Sequence, residues 1–401
     1  MTSFSLPRGF RASGTTCGIK ASGKSDLALF VSDVPAAAAG VFTTNRVVGA
    51  PVIVSRERVP ANSVRAVILN SGNSNACTGE PGLLNARRMT AELAAELGCR
   101  PEDVLVCSTG VIGVPLPIDV ISKGLPPAVA ALQNSDEAFH AAACAMMTTD
   151  TVSKQASVEV TLSTGTVTIA GAAKGAAMIA PNMATMLCVV MTDAELDSRA
   201  ATDLLKSAVG RSFNCISVDG HMSTSDTVLL LANGESQAAV KMPEDRAAFA
   251  AALLQVCEKL ATDIIRDAEG AEHFIIVDVE GFESPETAGR IAREICESAL
   301  VKTAITGNDP NWGRITSAAG YAGIPFDVSH LSLVINTTQV FAAGTPVPFS
   351  DADLSREMKE NREVHLKLKL SGGPHSGSAA VRFWTSDLTQ EYVRLNSDYT
   401  T

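Results

Sequence analysis

Read by the spacing of its apolar and polar positions, the chain predicts short strands alternating with helices in both halves. Residues 26–33 (DLALFVSD) alternate and are rich in aromatic and β-branched side chains, which predicts a strand. Residues 39–45 and 51–55 read as two further short strands, and 64–70 (VRAVILN) as a stronger one. Helical spacing appears over 84–97, over the alanine-rich 136–147, and over 196–209. Residues 104–107 form a short strand, and 156–162 with 166–170 a hairpin closed by Ser163, Thr164 and Gly165. Runs 186–191 and 227–232 are apolar throughout, as buried strands are. The longest amphipathic helix is predicted over 244–267, followed by a strand over 274–279 and one helix over 286–303. The fold class expected is a layered α/β arrangement, with helices covering sheets.

At 401 residues the chain is long enough for a large core or two lobes. A hydrophobic content of 46% with 19% charged residues is that of an ordinary globular protein. A net charge of −11 and pI near 5.1 argue against nucleic acid or an anionic membrane as partner. No run of eighteen apolar residues is present to span a membrane, and the first fourteen residues lack the apolar core of a secretory signal. Nine cysteines, an odd number without any C-x-x-C pair, fit reduced thiols in the cytoplasm better than a disulfide framework. The six histidines are scattered, so no metal site is expected.

Several stretches carry candidate chemistry. Residues 18–25 (GIKASGKS) match the phosphate-binding P-loop letter for letter. The motif requires an apolar strand before it and a helix after it; here a polar segment precedes and a strand follows. A loop leading into a strand is expected, without affinity for ATP. Residues 71–79 (SGNSNACTG) are turn formers whose side chains bond backbone, open to a purely structural role or a functional one. At the end of the 104–107 strand, Thr109 and Gly110 are either a turn or two donors of an oxyanion hole. Thr148 begins a polar stop after a helix. Ser, His and Asp residues crowd around His221, but triad partners normally come from separate elements, so no triad is expected. Glu269 lies where an acidic run opposes the helix dipole, either a solvated carboxylate or part of a site. Residues 174–193 read KGAAMIAPNMATMLCVVMTD. Pro181 and Asn182 mark a turn, and Thr185 opens the apolar run. Thr185 is either a β-branched strand opener or a nucleophile held in a dry pocket.

The segment KGAAMIAPNMATML resembles the self-cleavage motif of the ornithine acetyltransferase family, also called the arginine-biosynthesis bifunctional proteins. Thr109-Gly110, Asp267-Ala268-Glu269-Gly270-Ala271, TGNDPNWGRI at 306–315 and the C-terminal segment 392–401 resemble it too. The likeness runs from Gly18 to Thr401 through at least six motifs in order. It implies cleavage between Ala184 and Thr185 into chains 1–184 and 185–401, intertwined in one catalytic unit. Thr185 would be the nucleophile, with its freed α-amine as base and Thr109 and Gly110 holding the oxyanion. Thr148, Lys174, Thr185, Glu269, Asn396 and Thr401 would contact substrate, Lys174 taking a carboxylate and Glu269 an amine. The implied activity is transfer of acetyl from N2-acetylornithine to glutamate, without a cofactor, in a heterotetramer of two α and two β chains. Acetyl-CoA is a further donor it allows. An N-terminal-nucleophile aminopeptidase, or a binding protein that never cleaves, are the other readings. Two departures stand out: Ala268 where the family has glycine, and Glu272-His273 where it has Thr-Lys. His221 replaces the family's usual aspartate.

Overall fold

The computed structural model describes residues 4–180 and 186–398. They divide into two compact units, one of residues up to 214 with 222–264, the other of 215–221 with 265–398.

In chain order the first unit contains β1 (Phe10–Thr15), β2 (Leu27–Phe42), α1 (Ala50–Arg58), β3 (Ala61–Asn73), α2 (Gly79–Leu97) and β4 (Val104–Val111). Then come α3 (Ile118–Ala130), α4 (Asp136–Met146), β5 (Lys154–Leu162), β6 (Gly165–Lys174), β7 (Leu187–Thr192) and α5 (Ser198–Arg211). The short β8 (Ile216–Ser217) belongs to the second unit, while β9 (Thr227–Ala232) returns to the first; α6 (Pro243–Arg266) follows. The sheet order is β4-β3-β2-β9-β7-β6-β5, with β1 paired to the first half of β2. Every residue of β7 and β9 is buried, as their unbroken apolar runs predict for strands covered on both faces. One face is filled by Phe30, Leu69, Val189 and Leu229 with Phe139 and Met146 of α4. On the other, Leu29, Ile68 and Val106 meet Met89 and Leu93 of α2 and Ile121 and Leu125 of α3.

Two local readings change. Residues 51–55 are helical, inside α1, rather than a strand. Pro51 sits in the first turn, where its missing N–H loses nothing, and the following Arg56, Glu57 and Arg58 extend a helix whose buried side is Val52, Val54 and Ser55. Ser55 Oγ both donates to Val106 O (2.7 Å) and accepts from Val106 N (2.8 Å), tying α1 to β4. Residues 39–42 are the second half of β2, which pairs with β9. The P-loop look-alike is the expected loop between β1 and β2. Its backbone N–H groups at Cys17, Gly18, Ile19 and Lys20 already converge on the Asp26 carboxylate at 2.6–3.1 Å. The anion cradle is filled from within the chain.

The second unit is a sheet of order β13-β12-β11-β14-β10-β15-β8. Its strands are β10 (Phe274–Phe282), β11 (Leu331–Ile335), β12 (Thr338–Ala342), β13 (Thr345–Pro346), β14 (Glu363–Leu370) and β15 (Ser376–Ser386). The helices are α7 (Pro285–Glu297), α8 (Ala299–Thr306), α9 (Trp312–Tyr321), α10 (Asp351–Glu360) and α11 (Gln390–Asp398). In β14, Val364, Leu366, Leu368 and Leu370 are buried while Glu363 and Lys369 are exposed, the alternation of a sheet with one covered face. Helix α7 presents Ala288, Ile291, Ala292, Ile295 and Cys296 inward, one stripe of a 3.6-residue period. The single helix expected over 286–303 is two, broken at Ser298, whose side chain accepts from Val301 N and starts α8. The nine cysteines are free thiols, five of them buried.

Candidate active site

In the first unit the predicted residues gather at the ends of β4 and β6. Thr109 is buried on β4, beside Gly110 at φ +132°. A Cβ at Gly110 would lie 2.3 Å from the carbonyl carbon of Gly72, so the close passage of β3 and β4 admits only glycine. Strand β4 thus runs through both residues, where the sequence left a turn open. Side chains of the asparagine-rich segment bond backbone, as expected of its turn formers. Ser74 and Asn73 bond the carbonyls of Val111 and Val114, and Asn75 bonds Gly82 O, clamping the end of β4.

Lys174 ends β6 with 2% of its surface exposed, and its Nζ donates to Thr109 Oγ1 at 3.3 Å. Across the ladder it pairs with Leu187, two residues beyond Thr185. Asp150, which sequence reasoning passed over, organises this corner. It accepts from Lys154 Nζ (2.6 Å), Gly175 N (2.7 Å) and Thr148 N (3.0 Å). Burial alone would raise its pKa, but the Lys174 and Lys154 cations and these hydrogen bonds bring it down to about 2. Thr148, half-buried, is held from the other side as well, since Lys20 Nζ donates to the carbonyl of Met147 at 2.7 Å. The one sign of Asp150 in the sequence was its spacing of four from Lys154 in a polar stop.

Ala184 and Thr185 lie outside the described residues, as does Thr401. The chain re-enters at Met186, whose N–H donates to Asp226 Oδ1 at 3.2 Å, while its carbonyl accepts from Thr227 N at 3.1 Å.

The second unit brings Glu269 and Asn396 together: Asn396 Nδ2 donates to Glu269 Oε2 at 2.9 Å. The turn bearing Glu269 is fastened to α11 by Thr389 Oγ1, which donates to Gly270 O at 2.6 Å. The departures from the family pattern fit this turn. Ala268 is buried and needs no left-handed backbone. Glu272 N and His273 N both donate to Asp387 Oδ1 at 3.0 Å, and His273 Nδ1 lies 2.9 Å from Asp387 Oδ2. The His221 N–H donates to Asp219 Oδ1 at 3.2 Å. The NDPNWGR segment is a helix corner: Asn311 caps α9 by accepting from Arg314 N, and Trp312 stacks on Phe341 with centroids 5.3 Å apart. A cavity of about 590 Å³ opens beside it, lined by Glu297, Asn311, Arg314 and Tyr321. None of the predicted site residues lines that cavity.

Comparison with known proteins bears on the family resemblance. The model of the ArgJ family matches residues 11–401. The chain belongs to the ArgJ family. Relatives named arginine biosynthesis bifunctional protein ArgJ from Rhodopirellula baltica and Symbiobacterium thermophilum are each 48% identical. The first match covers 100% of this chain and 97% of the relative, the second 98% of each. A crystal structure of the ArgJ protein of Bacillus halodurans is 37% identical over 52% of this chain and 96% of its own, with a TM-score of 0.49. An ornithine acetyltransferase from Mycobacterium tuberculosis, solved with ornithine, is 41% identical over 45% of this chain and 94% of its own, with a TM-score of 0.41. As an ArgJ protein, the chain is an acetyltransferase of arginine biosynthesis, which excludes a binding protein without catalysis. Among the described residues no group of three or more His, Cys, Asp or Glu could hold a metal, and no helix is long and apolar enough to cross a membrane.

Proposed function

We propose that the chain transfers acetyl from N2-acetylornithine to glutamate through an acetyl ester on Thr185, after cutting itself between Ala184 and Thr185. The contact of Lys174 Nζ with Thr109 Oγ1, on the strand paired with the start of β7, carries this reading. It sets a cation and a hydroxyl donor beside the entry to the segment that opens with Thr185. In maturation the Thr185 hydroxyl attacks the Ala184 carbonyl, the peptide shifts to an ester, and water releases chain 1–184. The freed α-amine, with an ordinary pKa of about 7.7–8.0, is suited to act as base near neutral pH.

In turnover that amine takes the Thr185 hydroxyl proton as oxygen attacks the acetyl carbonyl. Thr109 and the Gly110 N–H stabilise the oxyanion. Ornithine leaves with the proton, and the glutamate amine attacks the acetyl-threonine, breaking its ester to give N-acetylglutamate and returning a proton to the Thr185 oxygen. Lys174 receives a substrate carboxylate, Glu269 with Asn396 an amine, and Thr148 and Thr401 complete the contacts. The bifunctional name of the relatives supports acetyl-CoA as a second donor to the same threonine, with no resident cofactor. The active protein is a cytoplasmic heterotetramer of two α and two β chains.

The test is direct. Incubated with acetylornithine alone, the enzyme should release about one equivalent of ornithine per site and gain one acetyl mass on a chain beginning Thr-Met-Leu-Cys. Parallel double-reciprocal plots should accompany it. Intersecting plots with no acetylated chain would show direct transfer instead. Repeating the assay with acetyl-CoA in place of acetylornithine tests the second donor.

A further inference from the structure

We propose that Asp226 is a positioning residue for the nucleophile, acting as a neutral carboxyl that anchors the peptide after Thr185 and leaves the freed α-amine basic. The proposal rests on the reading of Thr185 as nucleophile. Asp226 is fully buried at the mouth of β9. One oxygen, Oδ1, accepts the Met186 N–H at 3.2 Å. The other, Oδ2, has no hydrogen-bond partner among the described residues. A carboxyl this buried, with one oxygen on a backbone N–H and no ion pair among the described residues, is costly as an anion and far less so as a neutral acid.

Covalent geometry sets the distance to the amine. Successive backbone nitrogens are at most about 3.7 Å apart. The Met186 nitrogen, one residue on from the amine that cleavage frees, stands 3.2 Å from Oδ1. An ionised carboxylate that close, out of water, would hold the amine as ammonium and remove the base. A neutral carboxyl keeps the hydrogen bond to Met186 without that effect.

The surroundings favour the neutral form. Facing Asp226 are Thr43 after β2, Ser223 of its own loop and the Met186 amide before β7, none of them a cation. Thr43 Oγ1 is turned to the Ser223 carbonyl, and Ser223 Oγ accepts from Ser225 N. The charged groups on the surrounding elements are Arg56 of α1, which donates to the Thr43 carbonyl at 2.9 Å, and, beyond β7 on β6, Lys174, which is engaged with Thr109 and lies by Asp150. Burial pushes the Asp226 pKa up to about 8, and the Met186 N–H draws it only partly back.

The experiment compares Asp226→Asn and Asp226→Ala in the full chain, scoring cleavage, kcat per cleaved site, KM and the pH profile. Asn keeps an acceptor for Met186 and is neutral at every pH. It should cleave, retain kcat within about threefold, and leave the acid limb of the kcat profile within about 0.3 pH units of wild type. Ala should lose at least about tenfold in cleavage rate or kcat with KM little changed. An Asn variant as slow as Ala, or an acid limb displaced downward by a unit or more, would mean that an ionised carboxylate is required and overturns the proposal. An Ala variant that cleaves and turns over like wild type reduces Asp226 to a structural residue. Failure of the nucleophile reading shows separately, as wild type that is never cut before Thr185 and never acetylated.

Discussion

Thr109 differs from an ordinary strand threonine in what reaches its oxygen. The Lys174 ammonium donates to Oγ1, so the hydroxyl hydrogen is directed elsewhere and made a better donor. If it meets an oxyanion that exists only during reaction, Thr109→Ala should lower kcat by an amount worth roughly 2.7–4 kcal/mol, leaving KM nearly unchanged. Unchanged kcat with a raised KM would instead make Thr109 a ground-state contact. Asp150 yields a prediction about acid. Its pKa falls from 3.8 to about 2 on folding, so it stabilises the fold above pH 4 by about 2–3 kcal/mol. That contribution fades as pH drops from 4 towards 2, because the unfolded chain then binds the proton more readily. Asp150→Asn should flatten this part of the acid-unfolding curve, as followed by circular dichroism. A motif marks Thr109, Gly110 and Lys174 as candidates in the sequence, and the fold puts Thr109 and Lys174 in contact. Asp150 and Asp226 were not legible there, because a carboxylate acquires its role from neighbours that only the fold supplies.

Elements were read well wherever one periodicity ran unbroken. The hairpin β5–β6, the apolar β7 and β9, and the long α6 lie where the pattern set them, within a few residues. Residues 51–55 misled because three apolar positions satisfy a strand and a buried helix turn alike; the Pro51 start and the charged run after Ser55 were the deciding signals. Strands β11 to β15 went unread, their alternation being short and interrupted by turns. The split of α7 from α8 turns on one hydroxyl. Ser298→Ala removes the cap of α8 and should cost about 1 kcal/mol, seen as a lower Tm. An unchanged Tm would show that packing alone sets the break. The turn carrying Glu269 has its own pH response. His273 lies between two acceptors, Asp387 Oδ2 and the Met358 carbonyl, so it can donate to both only when both ring nitrogens carry hydrogen. The Asp387 hydrogen bond raises its pKa above 6.5 in spite of burial. Its stabilisation is complete below 6.5 and is lost as pH rises through the folded value. Tm should fall over that window in wild type and stay flatter in His273→Gln; parallel curves would remove His273 as the cause.

For the molecule as a whole, the deciding feature is how the first sheet is threaded. Strands from both sides of the Ala184–Thr185 bond alternate in it: β2 from before the bond, β9 and β7 from after it, then β6 and β5 from before. Backbone ladders cross the proposed cut twice, from Ala37–Phe42 to β9 and from Ile169–Lys174 to β7. The compact units do not follow the cut either, since the first unit holds residues from both sides of it. Hydrolysis of one peptide bond removes none of those ladder bonds. Pulling the products apart would bare four long apolar strand edges, each a template for aggregation. Chains 1–184 and 185–401 should therefore co-elute from a sizing column in native buffer and separate only in denaturant. Expressed apart, each should be insoluble, and mixing them from denaturant should restore activity only when both are present. Two fragments that elute separately without denaturant, or a soluble and folded chain 185–401 on its own, would show that the interleaved sheet is not what holds the mature enzyme together.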